Sequence, residues 1–446
     1  MNRNRIYLVL LLIVATASAV AGDRRFILRP KATASANTIS DRHNLSLRGS
    51  ADDNDGKVFV VESSTTADSA QVLTTVSDDV EVASIEPDAT VVVPEIAGAP
   101  VLNQSTTALL DGFTSPPALT LYFGQSVLNW YVFQPATKLI KLSKAQTMLA
   151  LGSTAVVAVI DTGVDANHPA LQGVLVDGYD FIRNQPGIPS EFDDLNPSAA
   201  ALLSQPTVSP ENSVAQAVVN QSTTALLDQS TTALLDTSQM PAAFGHGTMV
   251  AGLVHLAAPT AKIMPLKAFS ADGTGQLSDI LRAIHYAVKH GATVINMSFS
   301  LTEPSKELLR ALEYAAERGV VNVASTGNSG QPEIGYPAAA PMVIAVASTS
   351  NSDVRSAFSS YGPPTWVAAP GEAVITTYPG NHYAAGWGTS FSTPLVSGAV
   401  ALLQQSHPTP VTMKEARRAL SHAKYLTPEL GFGRLDMYRA AEEIDD

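Results

Sequence analysis

From Leu119 to the C-terminus, short apolar β-branched runs alternate with stretches of helical periodicity, and this alternation narrows the available folds more than any other feature. Strands joined by helical crossovers lie parallel in one sheet whose two faces are covered by helices. The pattern predicts strands at Ala155–Ile160, Lys262–Phe269, Thr293–Ser300, Val320–Ser325 and Met342–Ala347. It predicts helices at Thr248–Ala258 (the run begins at His246), Leu277–His290, Lys306–Arg318 (closed by Gly319), Ser390–Gln405, Met413–Ala423 and Arg434–Glu443. Such sheets bind ligands at the carboxyl ends of their strands, so chemistry is to be sought where an apolar run gives way to a turn.

Composition sets the outer bounds. A chain of 446 residues has room for a large core and more than one domain. Its 45% hydrophobic and 15% charged content is that of a soluble globular protein. A net charge of −13 provides no basic footprint for nucleic acid and no polybasic patch for membranes. There is no cysteine, which excludes disulfides and thiolate metal sites and leaves stability to packing and to any oxygen-ligated ions.

Residues 1–21 have the pattern of a secretion signal. Arg3 and Arg5 precede an apolar core, Ile6–Ala17, and Ala17-Ser-Ala19 or Ala19-Val-Ala21 supplies a small-residue cleavage site. The core falls short of the roughly 20 residues a membrane anchor needs. Export to an extracellular or periplasmic space is expected, with no membrane insertion after signal removal. Residues 22–94 read as a small α/β unit, with strands at Arg25–Leu28 and Lys57–Val61, a helix over Ala67–Val76 and a strand pair within Val80–Val93. Residues 95–118, rich in Gly, Pro, Ser and Thr, read as a linker. Residues 119–446 form the main domain, with a long insertion near 183–243. Gln-Ser-Thr-Thr-Ala-Leu-Leu-Asp occurs at 104–111, 221–228 and 229–236. Eight residues are too few for a solenoid repeat, so the copies read as duplicated loop material, each able to form one helical turn. Asn103 and Asn220 begin sequons that matter only in a host that glycosylates.

Four residues fall at strand ends or at the helix starts that face them. Asp161 follows Val156-Val-Ala-Val-Ile160, and His246 sits in Gly245-His-Gly-Thr-Met-Val-Ala-Gly252. Asn328 lies in Ser325-Thr-Gly-Asn-Ser-Gly330, and Ser390 in Trp387-Gly-Thr-Ser-Phe-Ser-Thr-Pro394, which runs into a helix apolar nearly all round. At the first turn of a helix, free N–H groups and the dipole favour negative charge. A serine hydroxyl held there can attack a carbonyl, with its own N–H available to the oxyanion. Such a serine needs a base, and the base needs an orienting carboxylate; Ser390, His246 and Asp161 supply all three. Each residue alone also has an ordinary structural explanation: a strand-to-turn Asp-Thr-Gly, a packed histidine, a Gly-Asn turn, a capping serine. His168, in Asp165-Ala-Asn-His-Pro169, is a rival base but reads as structural, lying in a turn with no helix behind it. The conjunction on one sheet pattern carries the catalytic reading.

Val159-Ile-Asp-Thr-Gly-Val164, Gly245-His-Gly-Thr-Met-Val-Ala-Gly252 and Gly388-Thr-Ser-Phe-Ser-Thr-Pro394 resemble the three signature motifs of the subtilisin-like serine proteases, in that family's Asp, His, Ser order. The resemblance runs from about Asn129 to Ala441 and includes Val294-Ile-Asn-Met-Ser298 and Gly431-Phe-Gly-Arg434. It implies a subtilisin-like three-layer α/β fold, with a mostly parallel central sheet and helices on both faces, preceded by a small α/β propeptide domain. It further implies that Asp161 orients His246, His246 acts as general base and then acid, Ser390 is the nucleophile, and the Asn328 amide joins the Ser390 N–H in the oxyanion hole. Val82-Ala-Ser-Ile-Glu-Pro-Asp88 resembles the family's propeptides, which assist folding, inhibit the enzyme and are cut away. Ser298, Ser300 and Gly335 fall where the family binds substrate. Ser300 stands where many relatives have glycine, and Gly335, before Tyr336-Pro337, falls where the main side-chain pocket has its floor. Gly335 has an alternative role, permitting a turn before Tyr336. Met249 stands where relatives often have histidine.

The chemistry requires no cofactor. A structural calcium fits the family, but no ligand set matches residue by residue; Glu191, Asp193 and Asp194 read as a solvated acidic loop rather than a cation site. The expected protein is a secreted serine endopeptidase made as a self-processing zymogen, acting on protein or peptide substrates, with its own propeptide as intramolecular inhibitor. The alternatives are a serine esterase on the same triad, which a substrate panel separates, and a non-catalytic binding protein of the same fold, against which the intact Asp161, His246, Asn328 and Ser390 argue.

Overall fold

A computed structural model describes residues 24–64, 68–93, 118–149, 155–197, 199, 218–220, 224–226, 240–407 and 409–445. The signal at 1–21, nearly all of the linker, and the octapeptide copies at 104–111 and 229–236 lie outside the described residues. The core of the molecule is an eight-stranded sheet in the order Gln185–Gly187, Gly178–Asp180, Lys262–Lys267, Val156–Asp161, Val294–Met297, Val321–Ser325, Val343–Thr349, Thr365–Pro370. Every neighbouring pair is parallel except the first, which is antiparallel.

A sheet buried on both faces needs apolar side chains at every position, which is why Val156–Ile160 is a continuous run. Val157 and Val159 point into one core, with Val323, Val346 and the helices His246–Ala257 and Thr389–Ser406. Ala158 and Ile160 point into the other, with Ile295, Met297 and the helices Leu277–Lys289 and Lys306–Glu317. The two helices of the first layer are buried nearly all round and the two of the second are amphipathic, as their sequences require. This is the three-layer, mostly parallel α/β fold expected. Parallel pairing sets Asp161, Ser298 and the Ser325–Asn328 turn side by side at one end of the sheet.

The N-terminal unit has its own antiparallel sheet, ordered Leu45–Ser50, Phe59–Ser63, Arg25–Pro30, Val82–Pro87. Helices Ala36–Arg42 and Ser69–Ser77 complete a β-α-β-β-α-β arrangement of ferredoxin type around Phe26, Leu28, Ile39, Val72 and Val76. Two expectations need correction. Thr90–Val92 does not pair with the preceding strand; it pairs antiparallel with Thr274–Gln276 of the main domain, where Asp88 accepts from Ser278 and the Ala89 carbonyl from Leu277 N–H. Within the octapeptide at 221–228, Thr224–Leu226 is a strand rather than a helical turn. The edge strand His382–Gly386 supplies backbone partners, and this tertiary pairing overrides the local helical preference. No helix of the described residues is long and apolar enough to cross a membrane.

Candidate active site

Asp161 ends its strand with the side chain 2% exposed, and its Oδ1 accepts from Thr162 N–H and lies 2.8 Å from His246 Nδ1. His246 opens its helix behind Gly245, whose φ of +89° lets the chain turn into the first helical residue. Gly247 is required by close approach, since a Cβ there would lie 2.1 Å from the Gly163 carbonyl oxygen. The pair therefore depends on one glycine-permitted turn into the helix and one glycine-permitted contact between strand end and helix start. His168 is buried and structural: its Nδ1 accepts from Ala170 N–H, and its Nε2 lies 2.9 Å from the His382 carbonyl.

Ser390 occupies the first turn of the helix Thr389–Ser406 and is fully buried. Pro394 stands four residues on and has no N–H, so the Ser390 carbonyl has no helical partner. Ser298 Oγ donates to that carbonyl at 3.1 Å, and Ser390 Oγ donates to the Ser298 carbonyl at 3.3 Å. Asn296 Nδ2 in turn donates to Ser298 Oγ, and Ser397 Oγ to Asn296 Oδ1, so a buried chain of amide and hydroxyls holds the serine's backbone. The ring of Phe391, next to Ser390, lies 5.7 Å from the His246 ring between centroids. Asn328 is turned toward the same helix end: its Oδ1 accepts from Thr389 N–H and Thr389 Oγ1, both at 2.9 Å. Thr389 thereby fixes the orientation of the Asn328 amide.

Part of the chain itself lies along the strands beside this site. Thr90–Val92 forms a ladder with Thr274–Gln276 on one side, and Val92 bridges Ser300 on the other. Val93 N–H donates to the Gly273 carbonyl at 3.0 Å. Two carboxylates anchor the unit that delivers this strand. Glu86 accepts from Ser305 Oγ and from the N–H groups of Lys306 and Glu307, at the start of the helix Lys306–Glu317. Asp88 accepts from Ser278 N–H and Oγ, at the start of the helix Leu277–Lys289. Helix N-termini favour anionic partners of this kind. Arg29 adds a two-pronged bond to Glu307. Ser300 and Gly335 face each other, since a Cβ on Gly335 would lie 2.8 Å from Ser300 Oγ and 2.6 Å from the Leu301 carbonyl oxygen.

The solvated-loop reading of Glu191 is overturned. Glu191 is fully buried, and Asp194 pairs with the buried Lys267 and with Arg183; only Asp193 of the three is exposed. Among the described residues, no group of three or more His, Cys, Asp or Glu is arranged to hold a metal ion. Burial pushes the Glu191 carboxyl up to about 7, against the downward pull of hydrogen bonds from Thr162 and Thr248. A carboxyl raised in this way contributes stability that is complete below about pH 4.5 and lost as pH rises through about 7. Glu191→Gln, which does not titrate, should therefore gain stability relative to the parent between about pH 5 and 8, by up to about 3 kcal/mol. Denaturant midpoints measured in a Ser390→Ala background, which avoids self-digestion, would check this; a constant difference between the two proteins across that range would refute it.

An α/β sheet with a carboxylate–imidazole pair and a buried helix-start serine at its carboxyl end defines a class of enzyme, one built around a serine. Residues 152–437, well over half of the chain, match the subtilase family profile. The chain belongs to the subtilase family of serine endopeptidases. Thermitase of Thermoactinomyces vulgaris is 35% identical over 255 residues, covering 57% of this chain and 76% of thermitase. Subtilisin BL of Lederbergia lenta is 40% identical over 173 residues, covering 37% of this chain and 64% of that protein. The thermophilic serine proteinase of Bacillus sp. (strain AK1) is 32% identical over 289 residues, covering 64% and 61% respectively, so the chain spans less than two thirds of these last two relatives. The crystal structure of a lanthipeptide protease superposes with a TM-score of 0.54 at 23% identity, over 70% of this chain and 93% of that one, a likeness of fold alone.

Proposed function

We propose that the chain is a secreted serine endopeptidase made as a self-processing zymogen, with Asp161, His246 and Ser390 as its triad. The observation that carries the reading is the 2.8 Å Asp161–His246 contact at the strand end, facing the helix start that bears Ser390. Ser390 Oγ attacks the scissile carbonyl carbon while His246 takes its proton, and the imidazolium is stabilised by Asp161. The oxyanion accepts from Ser390 N–H and Asn328 Nδ2. Collapse of the tetrahedral adduct breaks the C–N bond, with His246 returning the proton to the leaving amine. Water, deprotonated by the same histidine, then releases the acyl group and restores Ser390. Mass spectrometry of the secreted product, with and without Ser390→Ala, tests the whole reading.

Residues 22–94 act in this proposal as propeptide and intramolecular inhibitor, and residues 95–118 as an exposed linker of the kind proteases nick. Support comes from the strand Thr90–Val92, which lies between Thr274–Gln276 and Ser300 as a substrate segment would. Cleavage is expected between Pro94 and Trp130 in the active protein, and an uncut precursor in Ser390→Ala. Processing of the inactive variant at the same bond in a protease-deficient host would rule out self-cleavage. Glu86→Ala should weaken inhibition by the cleaved unit about 10- to 100-fold, the cost of losing charge-assisted bonds at a helix start.

Gly335 and Ser300 are proposed to line the main side-chain pocket, which takes bulky apolar or aromatic residues before the scissile bond. Because a Cβ on Gly335 meets the Leu301 backbone, Gly335→Val would disturb the chain whatever the pocket does. Ser300→Gly is the cleaner probe. It should raise kcat/KM for Phe, Tyr or Leu at that position by about 10-fold, within the 1–3 kcal/mol that a better-filled pocket gains, and leave Ala substrates nearly unchanged. Equal changes for every substrate would remove Ser300 from the pocket.

A further inference from the structure

The carboxylate of Glu191, outside the Asp161, His246 and Ser390 set, touches both elements that carry the acid and the base. Its Oε1 accepts from Thr162 Oγ1 at 2.5 Å and from Gly247 N–H at 3.2 Å, and its Oε2 accepts from Thr248 Oγ1. Thr162 directly follows Asp161, and Gly247 and Thr248 directly follow His246. We propose that Glu191 is a positioning residue for the Asp161–His246 pair, bonding the end of the strand Val156–Asp161 to the first turn of the helix His246–Ala257. The inference rests on the catalytic reading above.

The carboxylate sets the direction of two hydroxyl bridges. A hydroxyl has one proton to donate. Thr162 Oγ1 gives its proton to Glu191 and so accepts from Gly247 N–H at 2.9 Å. Thr248 Oγ1 does the same and accepts from Asp165 N–H at 2.8 Å. Without Glu191, the Thr162 proton is free to turn to Asp161 Oδ1, 3.3 Å away, which is the oxygen that faces His246 Nδ1. That competition weakens the carboxylate's hold on the imidazolium. Anchoring of the loop does not need the acid, because Val164 N–H already bonds the Pro189 carbonyl and Val164 bridges Ser190. Full burial of a carboxyl is itself unfavourable, and it is sustained here because three donors converge on it.

The test is burst titration of the processed enzyme with p-nitrophenyl acetate, which counts competent serines by amplitude and reads their reactivity by rate. Glu191→Ala should keep a near-full burst amplitude per folded molecule while acylation slows about 100-fold, with the peptide KM changed less than about threefold. Glu191→Gln, which keeps an acceptor in place, should recover to within about tenfold of the parent. The far-downfield proton resonance of the His246 Nδ1–H should be present in the parent and in Glu191→Gln and absent in Glu191→Ala. Parent-like acylation at every titrated site of Glu191→Ala, or a loss of amplitude alone, would overturn the proposal. If Glu191→Ala does not fold, Thr248→Val removes one arm of the bridge and should slow acylation about tenfold; a parent-like rate there also overturns it. No burst in the parent enzyme would instead sink the serine mechanism, so the two failures are distinguishable.

Discussion

Ser390→Ala should abolish peptide-bond hydrolysis, with a loss on the order of 10⁶ in kcat, and adding His246→Ala should cost little more. That magnitude is carried over from subtilisin, a member of this family, rather than derived from the present geometry. The reason for non-additivity is structural. In the proposed mechanism the imidazole held 2.8 Å from Asp161 acts only by moving the Ser390 proton, so once the hydroxyl is gone its removal should take away little. The residual rate should come from the oxyanion donors and from binding alone. Turnover by Ser390→Ala within about a hundredfold of the parent, measured on a chromogenic peptide, would end the assignment.

Asn328→Ala should lower kcat by about 10²–10³ and leave KM nearly unchanged, again a range taken over from subtilisin. The expectation follows from how the amide is held. Thr389 N–H and Oγ1 both bind Oδ1, so the donor end is preset rather than free to rotate, and it costs no reorganisation when charge develops on the substrate oxygen. In the proposed oxyanion hole this bond strengthens as the carbonyl becomes an oxyanion, so the effect should fall on kcat. A defect confined to KM would assign Asn328 to substrate binding instead. Thr389→Val should reproduce part of the loss, because it removes one of the two bonds that orient the amide.

Legibility in the sequence followed the range of the forces involved. Val156–Ile160 was readable as a buried strand because burial on both faces demands an unbroken apolar run, and the helices His246–Ala257 and Thr389–Ser406 because burial all round removes their polar face. Asp161, His246, Asn328 and Ser390 were readable as candidates because each sits where a local signal ends: a strand end, a glycine-flanked helix start, a Gly-Asn turn, a helix opened by glycine. The strand His382–Gly386 is not legible in the sequence, because His-Tyr-Ala-Ala-Gly holds no β-branched residue and is a strand only through pairing with Val374–Tyr378 and Thr224–Leu226.

The chain order alone therefore determined the α/β class, the parallel sheet and four of the residues gathered at its carboxyl end. These depend on hydrophobic period and on backbone-permissive residues, which act over a few positions. Tertiary structure decided the rest. It turned Thr90–Val92 away from its neighbouring strand and onto the main domain, because its backbone partners, Thr274–Gln276 and Ser300, lie about 200 residues on in the chain. It buried Glu191, an acid in a polar stretch, because its three hydrogen-bond donors come from Thr162, Gly247 and Thr248, 29 to 57 positions away. A charge can be taken out of water only where such donors converge, and convergence is a property of the folded chain.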